Sequence, residues 1–116
     1  MRPNHNNNNR QYQENLLRAF FNRSDLPMSL LIALRKIISY YNPSFYAADL
    51  NLASGTLCGL RSAGLIKPTG QVKVEYVCID EYEELYRKVK INEWELANDP
   101  SLVAEAYANF IRSISL

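Results

Sequence analysis

Along the chain the apolar positions follow two different periods. Tyr12, Leu16, Leu17, Phe20 and Phe21 recur at helical spacing and predict a first helix over about 11–22. The polar run "NRSDLP" interrupts it. Pro27 suits the first turn of a second helix over about 27–41, with Asp25 the better cap. Leu30, Leu31, Leu34, Ile37, Ile38 and Tyr41 cover most of that helix's girth, the mark of a core element. Asn42-Pro43 ends it, because a residue before proline avoids helical backbone. "SFYAADLN" predicts one or two further turns, capped by Ser44. A helix over about 53–63 places Ala53, Leu57 and Leu60 on one side and stops at Gly64.

The period then shortens to two. Leu65 and Ile66 begin a strand and "PTGQ" carries turn chemistry. Val72, Val74, Tyr76 and Cys78 alternate with Lys73, Glu75 and Val77, predicting a β-hairpin over about 65–79. Asp80, with Glu83 three residues on, resembles a capping box and predicts a helix over about 80–90, striped by Tyr82, Leu85, Tyr86 and Val89. Trp94 falls in a connection. Asp99-Pro100 opens a last helix over about 100–114, whose wide face holds Leu102, Val103, Ala106, Tyr107, Phe110, Ile111 and Ile114.

Composition narrows the chemistry. The 116 residues, 47% hydrophobic and 22% charged, suit one folded domain over 11–116 behind a disordered polar leader at 1–10. The densest apolar run, "LLIALRKII", is broken by Arg35 and Lys36 and is far short of a membrane span. "MRPNHNNNN" is not the start of a signal peptide, so a cytoplasmic location is expected, with Cys58 and Cys78 as free thiols. The single histidine, His5, lies in the leader, which leaves the domain without an imidazole base, a His-based triad or a His/Cys zinc site. No catalytic, cofactor or metal residue is therefore expected. Glu83–Arg87 and Glu84–Lys88, read on a helix, are ordinary i,i+4 pairs on a solvated face.

The whole-chain charge of +1 hides an asymmetry: residues 1–73 hold nine bases against three acids, and residues 74–116 four bases against nine acids. The predicted order, helix, short helix, turn, helix and hairpin, is that of a winged helix-turn-helix. At "SGTLCGLRSAGLIKPTG" the letters also resemble winged-helix regulators of the PadR and MarR kind. Gly55-Thr56-Leu57 opens the third helix, Leu60 continues it, and Gly64-Leu65-Ile66 leads into the wing. The likeness covers about residues 28–80, with the span from Gly-Thr-Leu to Gly-Leu-Ile about one helical turn shorter than is usual in PadR-type proteins. It implies a mainly α, α+β winged-helix domain with added terminal helices. It also implies that the helix at 53–63 enters the DNA major groove while the wing meets the backbone.

The spacing sets Gly55, Gly59 and Ser62 opposite the leucines, a side-chain-poor ridge. Such a ridge admits DNA closely, admits a protein helix, or merely relieves crowding within the domain. For DNA, Ser54, Thr56, Ser62 and above all Arg61 are the expected base contacts. Lys67, Gly70, Gln71 and Lys73 around the "PTGQ" tip, with Arg35 and Lys36, are the expected phosphate contacts. So few bases make one copy a weak binder, and a homodimer is expected through terminal-helix residues Leu16, Phe20, Leu102, Tyr107, Phe110, Ile111 and Ile114. The rival reading is a winged-helix protein-interaction module that meets its partner through the glycine ridge or the acidic C-terminal half. An enzyme built on carboxylates and tyrosines alone comes third.

Overall fold

The two periods of the sequence fold into an α+β molecule, described by a computed structural model over residues 5–115. Its elements are α1 (His5–Phe21), α2 (Met28–Tyr40), β1 (Ser44–Phe45), α3 (Ala47–Leu50), α4 (Ser54–Ser62), β2 (Ile66–Asp80), β3 (Leu85–Leu96) and α5 (Pro100–Ile114). The three strands form an antiparallel sheet in the order β1-β3-β2.

α2 is the central helix, as its apolar girth requires. Leu30, Leu31, Ala33, Leu34 and Ile37 are buried, and around them close Leu17 and Phe20 of α1, Leu57 and Leu60 of α4, Leu65, Ile66, Trp94, and Leu102 and Val103 of α5. Two helix ends follow the local chemistry closely. The Asp99 carboxylate accepts from the Ser101 N–H at 2.9 Å at the start of α5, with Pro100 in the first turn. Gly64 takes the left-handed backbone (φ +80°) that frees α4 into β2. Asp25 is not the cap of α2. Its carboxylate faces Arg23 at 3.2 Å, and Pro27 holds the capping position with its backbone carbonyl alone, which accepts from the Leu30 N–H.

Three further expectations are corrected. α1 starts at His5, so helix runs through residues placed in a disordered leader; residues 1–4 of that leader lie outside the described residues. Ser44 caps no helix. It pairs with Glu95 in β1, and α3 starts only after Tyr46, whose N–H donates to the Asp49 carboxylate at 2.9 Å. The dimer surface assigned to the terminal helices is in part used within the chain, because α1 and α5 pack against each other. Phe20 and Leu102 are buried in the core, Leu16 reaches under Gly64, and Phe21 stacks on Phe110 (centroids 5.0 Å) and meets the edge of Tyr107. The Asp99 N–H donates to the Gln13 side-chain oxygen at 2.8 Å, tying the two helices together. Of the seven residues, Leu16, Tyr107, Phe110 and Ile111 are half-buried and Ile114 is exposed.

The largest correction concerns the hairpin. "PTGQ" does not turn the chain back: β2 continues through it, and Pro68 faces Trp94 while Val72 faces Asn92, so four steps along β2 match two along β3. The turn residues make a bulge instead, with Gly70 at φ +95°. The Thr69 hydroxyl, which donates to Glu93 at 2.7 Å and accepts from the Gln71 N–H, pins it. Residues 85–90 are strand, not helix, and Trp94 lies within β3. The true hairpin tip is 81–84. There the Asp80 carboxylate accepts from the N–H groups of Tyr82 (2.9 Å) and Glu83 (3.4 Å), the bonds a helix cap would make. Glu84 then turns left-handed (φ 52°) and sends the chain back along β2.

Candidate nucleic-acid interface

α4 owes its position to Leu57 and Leu60, which are buried beneath it, and to Gly59, which faces α2. A Cβ on Gly59 would stand 2.9 Å from Leu30 Cδ2. That glycine is therefore spent on helix–helix approach, and its place on an outward ridge is corrected. Gly55 differs: nothing lies within 4 Å of where its side chain would be. The outer face of α4 is Ser54, Gly55, Cys58, Arg61 and Ser62, all exposed, with Thr56 half-buried on the α2 side. Gly55, Thr56, Gly59 and Ser62 form one wall of an open groove, and Arg23, Pro27, Ser29 and Leu30 form the other.

The cations are dispersed. The Arg61 guanidinium lies 5.8 Å from the centre of the Trp94 ring, a cation–π arrangement that braces it at the junction of α4 and β3. Lys67 pairs with Glu95 at 3.7 Å. Lys73 pairs with Glu75 at 3.1 Å and sits 4.2 Å over the Tyr46 ring; the hydrogen bond to Glu75 raises its pKa above the ordinary lysine value. Gly70 and Gln71 are exposed in the bulge. None of these four residues stands at a hairpin tip, since the tip carries Glu81, Glu83 and Glu84. Arg35 and Lys36 are exposed on α2, and Lys36 shares a flank with Ser29 two turns earlier, about 10 Å along the axis.

Two sets of residues escaped the sequence reading. Arg23 borders the α4 groove from the α1–α2 loop, and its carboxylate partner Asp25 is drawn below the ordinary aspartate pKa by that guanidinium. Arg87, Lys88 and Lys90 are exposed on β3. Lys88 faces Tyr76 and Lys90 faces Val74 across the ladder, so one face of the ribbon interleaves ammonium groups with an aromatic and aliphatic row. The signal was the alternation in "YRKVKIN", which the capping pattern at Asp80 masked.

Among the described residues no group of three or more His, Cys, Asp or Glu could hold a metal ion, and no helix is long and apolar enough to cross a membrane. Cys58 and Cys78 are free and exposed. Compared with protein-family models, curated proteins and solved structures, the chain matches none.

Proposed function

We propose that this chain is a small non-catalytic, cytoplasmic DNA-binding protein of winged-helix architecture, a transcriptional regulator or a plasmid or viral site-binding factor. One observation carries the reading: in the run α2–β1–α3–α4–β2–β3, with β1 closing onto β3, α4 packs on α2 and β2 and keeps an exposed small-residue face. In this reading α4 lies in the major groove, Gly55 lets the helix seat deeply, and Arg61 reads a base edge beside Ser54, Thr56 and Ser62. Phosphates are met by Arg35 and Lys36 on α2 and by Lys88 and Lys90 on the ribbon. Lys67 and Lys73 contribute less, because each already has a glutamate partner. With so few unpaired cations, two copies bind together.

Titration of labelled duplex tests this. With four such cations in each copy and about eight phosphates neutralised by the pair, affinity falls on the order of 10,000-fold between about 50 and 200 mM salt. Arg61→Ala lowers the preference for a selected site, and Lys88→Ala with Lys90→Ala weakens all duplexes alike. The acidic tip and the two paired lysines favour the second reading, an interaction module for a protein partner. Absence of salt-sensitive DNA binding at micromolar protein decides for that reading.

A further inference from the structure

The β2–β3 ribbon leaves one long backbone edge without a strand beside it. β1 pairs with β3 at Trp94 and Glu95, and the chain leads from β1 into Tyr46 and α3, so that side of the ribbon is partly occupied. Among the described residues no strand lies against the outer edge of β2. Proteins blunt such edges with proline, bulges and charges. On β2, Pro68 and the Gly70 bulge sit at the inner end and a second register shift lies beyond Cys78, next to the tip. From Val72 to Cys78 the strand keeps unbroken register with β3, has no proline, and carries Lys73 and Glu75 as its only charges. On one face of this stretch Val72, Val74 and Tyr76 are 47%, 44% and 69% exposed.

We infer that this edge is a self-association site, in which β2 of one copy pairs antiparallel with β2 of a second copy about a two-fold axis through Val74. Such an axis stands perpendicular to the sheet, so the two strands keep the same faces up and residues whose numbers sum to a constant become neighbours. Centred on Val74, Lys73 stands opposite Glu75 of the second copy, and Glu75 opposite its Lys73. Val72 meets Tyr76 on the apolar face, and the two Val74 side chains meet on the axis. Of the registers centred on Val72 through Tyr76, only this one sets opposite charges against each other. Centring on Lys73 or Glu75 opposes like charges, while centring on Val72 or Tyr76 gives both charged residues neutral partners. The result is a continuous six-stranded sheet in the order β1-β3-β2-β2-β3-β1, with Val72, Val74 and Tyr76 of the two copies forming three cross-strand pairs on one face.

The inference deepens the two-copy part of the DNA-binding reading and rests on the ribbon alone, so each fails separately. Sedimentation equilibrium of the full chain is expected to show a dimer. Lys73→Glu and Glu75→Lys, each putting like charges opposite one another twice, weaken it by about 30-fold or more, and the double exchange Lys73→Glu with Glu75→Lys restores it. Far-UV circular dichroism of each variant checks that the fold is kept. Val74→Cys, in a Cys58→Ser, Cys78→Ser background, gives a disulfide-linked dimer on mild oxidation, whereas Ile114→Cys in the same background does not. A wild-type chain that stays monomeric at tens of micromolar overturns the inference. So does a dimer indifferent to both single exchanges, or one that crosslinks at Ile114 and not at Val74. Charge exchanges that abolish the dimer while salt-sensitive duplex binding persists support the interface and confine the correction to the two-copy mode of DNA binding.

Discussion

The helical body and the ribbon solve the folding problem in opposite ways. In the body, Leu17, Leu34, Leu60, Leu65, Ile66 and Val103 are almost completely withdrawn from solvent, and every long element touches a neighbour on its apolar side. Between Val74 and Lys88 no residue is buried, and Tyr82 at the tip is 99% exposed. The body is held by burial, worth about 1.5–3 kcal/mol for each fully buried large aliphatic side chain. The ribbon is held by its ladder and by cross-strand pairs worth about 0.2–1 kcal/mol each. A two-stranded ribbon standing alone is marginal in water, so this one depends on its root at Ile66, Trp94 and Leu96 or on a further strand.

The sharpest way to break that contrast is to remove one side chain from each region. Leu34→Ala opens a cavity where nothing can collapse inward and costs about 2–5 kcal/mol of unfolding free energy. Tyr76→Ala, at protein concentrations low enough to keep the chain monomeric, stays within about 0.5–1 kcal/mol, the worth of one cross-strand pair. Urea denaturation followed by circular dichroism measures both. Equal losses would mean the ribbon is packed against something.

Amide exchange asks the same question by residue. Backbone N–H groups of α2 open only with global unfolding, while those between Val74 and Lys88 exchange through local opening at far lower free energy. In a dimeric sample, protection rises selectively at alternate amides of Val72–Cys78 on the outer edge. Uniform protection along both regions would remove the distinction.

The body was also the legible part of the sequence. Its helices bury a face, and burial imposes the 3.6-residue period that apolar positions report; all four long helices were found within a few residues of their bounds, except where α1 reaches into the asparagine-rich segment. The ribbon was misread for physical reasons that can be named. Asp80 makes the hydrogen bonds of a helix cap, and Tyr82, Leu85, Tyr86 and Val89 happen to fall at helical spacing. Only Val89 and Ile91 in "YRKVKIN" alternate cleanly with polar residues, and between Leu85 and Lys88 the strand is exposed on both faces and need not segregate apolar from polar residues. "PTGQ" has the composition of a tight turn and is used as a bulge, since local chemistry cannot say whether the strand resumes. At the candidate site the leucines beneath α4 and its exposed polar residues were legible. The partners of Arg61, Lys67 and Lys73 were not, because Trp94, Glu95 and Tyr46 reach them only through the sheet.

The two α4 glycines sharpen the comparison at single-atom scale. Gly55 faces open space, so Gly55→Ala gains helix propensity with no clash and stabilises the chain by about 0.5–1 kcal/mol. Gly59→Ala gains the same propensity but must displace the Leu30 Cδ2 methyl, 2.9 Å from the new Cβ, which offsets part of that gain. Thermal unfolding should therefore rise more for Gly55→Ala than for Gly59→Ala. If the two rise equally, the Leu30 methyl moves aside without cost.

The smallest effects are electrostatic, and the two regions carry them at opposite ends of the pH scale. Asp25, beside the body, is held below its ordinary pKa by the Arg23 hydrogen bond and charge. A carboxyl depressed on folding stabilises the native state above its unfolded pKa, and that contribution disappears as pH falls through the folded value. Lys73, on the ribbon, is raised chiefly by its hydrogen bond to Glu75, so its contribution is complete below the unfolded lysine pKa and is lost as pH climbs through the higher folded value. Both groups are solvent-exposed, so the energies are small and the direct readout is the titration itself. Carbon-13 NMR of the Asp25 carboxyl and the Lys73 side chain should show an acid-shifted and an alkaline-shifted midpoint. Arg23→Ala returns only the first to normal, and Glu75→Gln only the second. A Lys73 midpoint that moves further upward as the protein is concentrated would tie its titration to a second Glu75, across the strand edge.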